Sequence, residues 1–460
     1  MKLSVDERLP GAVVEGRFLH PERPNKRNLT FVRDYAGTIG LADRISDVRM
    51  SAADVGTVTY KRLMAGEYLA SGDFSAWKYN INLKPLGRPS AMAHVSWIGR
   101  DEGILFLDDI VPQLFGPDRS GVISLDVPDG WQVITSEPRR NGNTFDVQDV
   151  EKAVFVLTKT GGARTFTSGS VTTNIFGQWK FADDDAAAIS TEILKTYSRL
   201  FHTSAPSAQV TIMRMPPSVS PGNWEADTRG SSVTILSSDM PFATQSVQRL
   251  HEQLRHELFH LWFPNGVDLT GGYDWFYEGF ALYESLKTGV GSNRIRFDDF
   301  LGSLSQAYRL DAIQIDRRSL IASSEQRFAG GANASIYARG MLVAFICDIA
   351  IIRDSKGKRS VDDLVRDIYQ RALAGKPQSG NDLILGTMRS RPELGMIVDK
   401  YITGSGPVDS RSDLAAAGIV VDGIGSAISL RVSAKPDGRQ RDLLDKLGYN
   451  NWRKLSASSK

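Results

Sequence analysis

The chain has 460 residues, of which 41% are hydrophobic, with 55 Lys and Arg against 53 Asp and Glu. That length suggests two or three domains, and the apolar content is ample for ordinary cores. The near-balance of charge provides no overall field to attract nucleic acid or an anionic surface, so neither is an expected partner. No run reaches the eighteen or so apolar residues of a membrane span. The first residues, Met1 to Glu7, lack the apolar core of a signal peptide. The compartment stays open: periplasmic or secreted if a signal was removed, otherwise unassigned.

Residues 1 to about 178 carry strand signals. Trp77, Tyr79, Ile81 and Leu83 alternate with polar residues, as do Ala93, Val95 and Trp97, and short apolar runs cover Ile104 to Leu107 and Ala153 to Leu157. An antiparallel β domain is expected over 1–178, with His94 as a hydrogen-bonded strand histidine. Helical spacing starts at Asp183, a candidate N-cap, with Ile189, Ile193, Tyr197 and Leu200 on one face. Two strands follow, Gln209 to Met215 and Ser231 to Ser237.

From Thr244 onward Val247, Leu250, Leu254, Leu258 and Leu261 recur at helical spacing. On the flank of that stripe stands His256-Glu257-Leu258-Phe259-His260, and three of the six histidines fall within ten residues. Histidines four apart on a helix project from one face about 6 Å apart along the axis, so both imidazoles can reach one metal ion. Glu257 is rotated off the ligand line and can face a metal-bound water as general base. His251, five residues before His256, points away from that line and is expected at the surface. A second helix begins near Asp274, a candidate N-cap, and carries Phe276, Phe280, Tyr283 and Leu286 inward. Glu278 in its first turn comes beside the histidines if the two helices pack antiparallel across the turn containing Gly266, Gly271 and Gly272. Two histidines and one carboxylate are a recurrent zinc set. Gly330 and Gly331 read as a turn.

Helices are further expected over Met341 to Ile352, Val361 to Leu373 and Leu394 to Tyr401, with Tyr337 opening the first. The lone cysteine, Cys347, lies in an apolar run and is expected to be buried packing. Thr403 to Pro407 looks like a linker, followed by a short strand and a polar, solvated tail.

HELFHLW, then WFYEGFALYE, then IYARG resemble the zinc metallopeptidases of the glycyl aminopeptidase family, relatives of aminopeptidase N and leukotriene A4 hydrolase in the thermolysin-like superfamily. The resemblance covers roughly Phe181 to Gly404. It implies one zinc per chain on His256, His260 and Glu278, Glu257 as base, and Tyr337 stabilising the oxyanion of a peptide or protein substrate. The implied fold is multidomain α+β: the β domain over 1–178, a thermolysin-like catalytic domain over 179–404 with a mainly helical second half, and a tail over 405–460. Such folds lay the substrate along an open strand before the zinc helix, and the small residues Gly230, Ser231 and Ser232 suit close approach. The stretch Arg229 to Leu236 lacks the family's amine-binding glutamate, with Glu225 and Asp227 just upstream. N-terminally blocked peptides are therefore expected to be accepted. A non-catalytic peptide binder on a peptidase scaffold, and a zinc hydrolase for a non-peptide substrate, are the alternative readings. The intact Glu257 argues against the first of these.

Overall fold

A computed structural model describes residues 1–6, 10–18, 27–52, 56–113, 119–315, 317–327 and 332–451. The chain forms two compact units: residues 1–188 with 207–247, and residues 189–206 with 248–460.

The first unit is built on sheets. Lys2–Asp6, Gly11–Arg17, Ala76–Asn82 and Ile45–Ala52 are neighbours within an eight-stranded sheet. The alternation read from the sequence holds in Ala76–Asn82, where Trp77, Tyr79 and Ile81 are buried. A four-stranded sheet contains Glu102–Phe106 and Val154–Lys159, and its apolar runs are buried on both faces. The pairing is not wholly antiparallel as expected, since Lys2–Asp6 runs parallel to Gly121–Asp126. Nor is Ala93 to Trp97 one strand. Pro89–Ala93 is a 3-10 turn with proline at its start, where the missing N–H costs nothing, and only Trp97–Ile98 pairs.

A five-stranded mixed sheet completes this unit: β1 (Ala163–Ser168), β2 (Val171–Phe176), β3 (Ala208–Arg214), β4 (Trp224–Arg229) and β5 (Ser232–Ser237). Its spatial order is β1-β2-β3-β5-β4, with β2, β3 and β5 mutually parallel. Phe176, Met213 and Leu236 from this sheet pack with Ile104, Phe106, Val154 and Val156 of the four-stranded one.

The second unit is mainly helical. Helices α1 (Asp183–Phe201) and α2 (Ala243–Glu257), whose first turns are counted with the first unit, and α3 (Asp274–Gly291) and α4 (Ala332–Asp354) frame the candidate site. Further helices span Phe297–Ala312, Val361–Ala374 and Gly380–Arg389. The expected helix over Leu394 to Tyr401 is broken into short turns, including a π segment over Val398–Ile402. By length and composition α4 could cross a membrane, yet 94% of its apolar window is buried within the protein. Cys347 is buried there as expected.

The linker is tied down. Buried Arg339 donates to the carbonyls of Gly404 and Gly406, satisfying backbone acceptors that a free segment would turn to water. The expected solvated tail instead contains a hairpin of Ile419–Asp422 with Ser429–Val432 and a helix over Gly438–Lys446, which Asp437 and Gln440 cap reciprocally. Residues 452–460 of the tail, and the turn at Gly330 and Gly331, lie outside the described residues.

Candidate metal centre

The last turn of α2 and the turn that follows it carry the histidine pair. The α-helix ends at Glu257 and tightens to a 3-10 turn over Leu258–Leu261, so the two histidines are not on one uniform helix. They still converge: Nε2 of His256 and Nε2 of His260 are 3.2 Å apart. Local packing fixes the turn. Phe201 stacks on Trp262 at 5.1 Å, Tyr197 meets Phe259 edge-on, and the Tyr197 hydroxyl donates to the Arg255 carbonyl.

Glu278 comes from the first turns of α3. Its Oε2 lies 3.3 Å from Nε2 of His256 and 3.4 Å from Nε2 of His260. All three side chains are buried, with ligand atoms within 4.8 Å of one another, and the group can hold a metal ion. Two features test the fit. Oε2 of Glu278 is buried without a hydrogen-bond partner among the described residues, an expensive state for a carboxylate oxygen unless a cation meets it. The imidazole of His260 has its Nδ1 2.9 Å from the Phe263 carbonyl, which places a proton on Nδ1 and leaves Nε2 on the side of Glu278. Burial disfavours a charged His260, yet Glu278 and Glu257 outweigh it and raise its pKa to about 9. The field at this point favours positive charge. Glu257 is buried beside the group, with Oε1 4.0 Å from Nε2 of His256.

Tyr337 does not open a helix; it sits in the second turn of α4, its ring centroid 6.3 Å from that of His256. Burial and the neighbouring Glu278 push its pKa well above the ordinary tyrosine value, so it stays a phenol and a donor. Glycines let α4 approach. A Cβ on Gly279 would fall 2.4 Å from Gly340 Cα, so only two glycines permit this contact between α3 and α4.

Arg327 was not singled out by the sequence. One guanidinium nitrogen donates to Oε1 of Glu278 at 2.6 Å and to the Tyr337 hydroxyl at 3.1 Å. The other reaches Oδ1 of Asp274 at 2.7 Å and the Tyr277 hydroxyl at 2.9 Å. Burial opposes ionisation of Glu278, but Arg327 and His260 overcome it and hold the carboxyl well below its usual range. Asp274, expected as an N-cap, is the first residue of α3 and spends its carboxylate on Tyr277 and Arg327. No sequence signal pointed to Arg327, which lies in an irregular stretch 49 residues from Glu278.

Three other expectations need correction. His251 is 2% exposed, not a surface residue, with Nδ1 2.6 Å from an Arg255 guanidinium nitrogen. His94 ends the 3-10 turn and is held in the first unit between Asp227, at 3.3 Å, and Glu225, at 3.5 Å. Gly230 and Ser231 form the tight β4–β5 turn, where Gly230 has φ +54°, and Ser232 begins β5, which has β3 on one side and β4 on the other. β4, like β1, is an edge strand of this sheet. β4, which leads into that turn, bears Glu225 and Asp227.

No protein-family model matches the chain, and no curated protein matches it. Solved structures do. An aminopeptidase N family protein from Idiomarina loihiensis superposes with a TM-score of 0.73 at 16% identity, over 92% of this chain and 78% of that one. The M1 zinc metallopeptidase of Deinococcus radiodurans, a glutamate-to-alanine mutant bound to the substrate Tyr-Ser-Ala, gives 0.56 at 14% identity over 88% and 95%. Native yeast LTA4 hydrolase gives 0.54 at 13% identity over 88% and 67%. The chain therefore has the M1 aminopeptidase-like fold, α+β with a sheet-rich first part and a helical second half.

Proposed function

We propose that this chain is a zinc-dependent peptidase. One observation carries the reading: the buried, unpartnered Oε2 of Glu278 converges with two imidazole nitrogens, and a second carboxylate, Glu257, stands beside them. Two histidines and a carboxylate are a recurrent zinc set with a position left open for water. Zinc held by His256, His260 and Glu278 would lower the pKa of a bound water to about 7 and polarise the scissile carbonyl.

The chain's own groups do the rest. Glu257 takes a proton from the attacking water and delivers it to the leaving amine. Tyr337, kept protonated, donates to the oxygen that gains charge. Arg327 orients Glu278 and Tyr337 together, since its planar fork reaches both. A structural binder would need neither a base beside the metal group nor a phenol aimed at it. Peptides are favoured as substrates because the Deinococcus enzyme of the same fold is described with one bound.

The experiment is metal analysis of the purified chain with a mixed-peptide cleavage assay. About one zinc per chain, and hydrolysis abolished by a chelator and restored by zinc, is the expected result. Zinc-loaded protein that cleaves no peptide would redirect the reading to another hydrolysis or to binding alone.

A further inference from the structure

A cavity in the helical unit, about 550 Å³, includes none of the candidate metal-site residues in its lining. Residues of α1, α2 and α3 form its walls, and the C-terminal helix closes one side through Lys446. Two buried polar atoms on this lining lack hydrogen-bond partners among the described residues: Nε2 of His251 and Oε1 of Glu284. Buried polar groups are almost always satisfied.

The chemistry of His251 follows from its neighbour. A guanidinium can only donate, so Nδ1 of His251 accepts from Arg255 and the ring proton resides on Nε2. Burial, with Arg255 and Arg294, lowers the His251 pKa to about 3, so the ring is a neutral, oriented donor. Gly289 makes room for this arrangement, because a Cβ there would lie 3.0 Å from the Arg255 Cζ.

Charge around the cavity is unbalanced. Asp362 is committed to Lys287, and Glu192 pairs with Arg294 at 3.5 Å. Burial and nearby Asp362 raise the pKa of the Glu284 carboxyl well above its usual range. Arg366 pairs with Asp363 at 2.9 Å. That leaves Arg199 and Lys446 with no carboxylate within ion-pair distance among the described residues, and Arg255 behind the wall with the neutral acceptors His251 Nδ1 and, at 3.4 Å, Ser285 Oγ.

We propose that this cavity binds a small molecule bearing an oxyanion, a carboxylate or a phosphate, which accepts the Nε2–H of His251 and offsets the charge of Arg199 and Lys446. Its occupant contacts both α2, which carries His256 and leads into the 3-10 turn with His260, and α3, which carries Glu278. The site stands apart from the peptidase reading and is tested without it.

Calorimetric titration of the full chain with succinate, and separately with inorganic phosphate, at constant ionic strength balanced by chloride, is the test. Saturable one-to-one binding of at least one probe is expected. His251→Phe removes the donor and should weaken it at least tenfold, with zinc content unchanged. Gly291→Phe is the second variant: a Cβ on Gly291 meets nothing within 4 Å, so the ring can grow into the cavity without disturbing the fold, and binding should vanish. Binding of succinate alone assigns a carboxylate ligand, and binding of phosphate alone assigns a phosphate. Absence of saturable binding with both probes overturns the proposal, as does wild-type affinity in either variant.

Discussion

Gly279 and Gly340 face each other where α3 meets α4, so closely that a Cβ on Gly340 would lie 2.5 Å from the Trp275 carbonyl oxygen and 2.9 Å from Gly279 Cα. Glu278 precedes one glycine, and Tyr337 stands about a turn before the other. The crossing therefore sets the spacing between the carboxylate proposed to bind metal and the phenol proposed to face the substrate. Gly340→Ala should cost about 1–3 kcal/mol through overpacking and lower hydrolysis as well. Gly302→Ala, on the helix Phe297–Ala312 where an added Cβ meets nothing, should be neutral or slightly stabilising. Denaturant midpoints of the pair decide the matter; equal stability would remove the crossing from the account.

Glu257→Gln keeps size and helix propensity but cannot accept a proton. Zinc should remain bound while turnover falls by roughly a hundredfold or more. Unchanged turnover with full zinc would mean another group acts on the water.

Tyr337→Phe deletes one hydroxyl from a half-buried ring. With KM little altered, kcat should fall by about a hundredfold. A variant with wild-type kcat would leave Tyr337 with packing alone.

Arg327→Lys keeps the charge and loses the fork. A lysine cannot serve Glu278, Tyr337 and Asp274 together, so zinc affinity should fall by about ten- to a hundredfold. Competition with a chromogenic chelator measures this. Affinity equal to wild type would show that Glu278 holds its orientation without the guanidinium.

The His94 cluster predicts a pH dependence of stability. Burial opposes the charge on His94, but Asp227 and Glu225 outweigh it and raise the pKa from 6.5 to about 9. A base with a raised native pKa stabilises the fold fully below about 6.5, and that contribution is lost as pH rises through about 9. Because Glu225 is partly exposed, the effect should be of order 1 kcal/mol rather than the full value of the shift. Urea melts at pH 6.5 and pH 10 should differ accordingly in wild type, with a smaller difference in His94→Gln. Parallel pH profiles would exclude the linkage.

The convergence of the candidate metal group was legible because its residues are close in sequence and governed by helix geometry: His256 and His260 one turn apart, Glu278 one short connection later. Even the change to a 3-10 turn at Leu258 did not separate them, since the aromatic packing of Tyr197, Phe201 and Trp262 holds that turn. Contacts made through the fold were not legible. Arg327 meets Glu278 across 49 residues of chain, and its neighbourhood has no periodicity to place it. His94 looked like a strand residue because the alternation around it is real, yet proline at 89 starts a 3-10 turn that aims the ring at Asp227. The edge strand Trp224–Arg229 was missed because its alternating side chains are half-buried and polar, so no apolar face marks it.

The burial of α4 has a consequence for how this protein is made. Until its neighbours assemble around it, a newly synthesised chain presents a 23-residue segment with the hydropathy of a membrane span. Unlike a true span, it must be wrapped by protein rather than lipid. Its partners include α3, before it in the chain, and Val361–Ala374, after it. The wrapping therefore waits on residues synthesised later, and in that interval the segment is a ready target for chaperones and for aggregation.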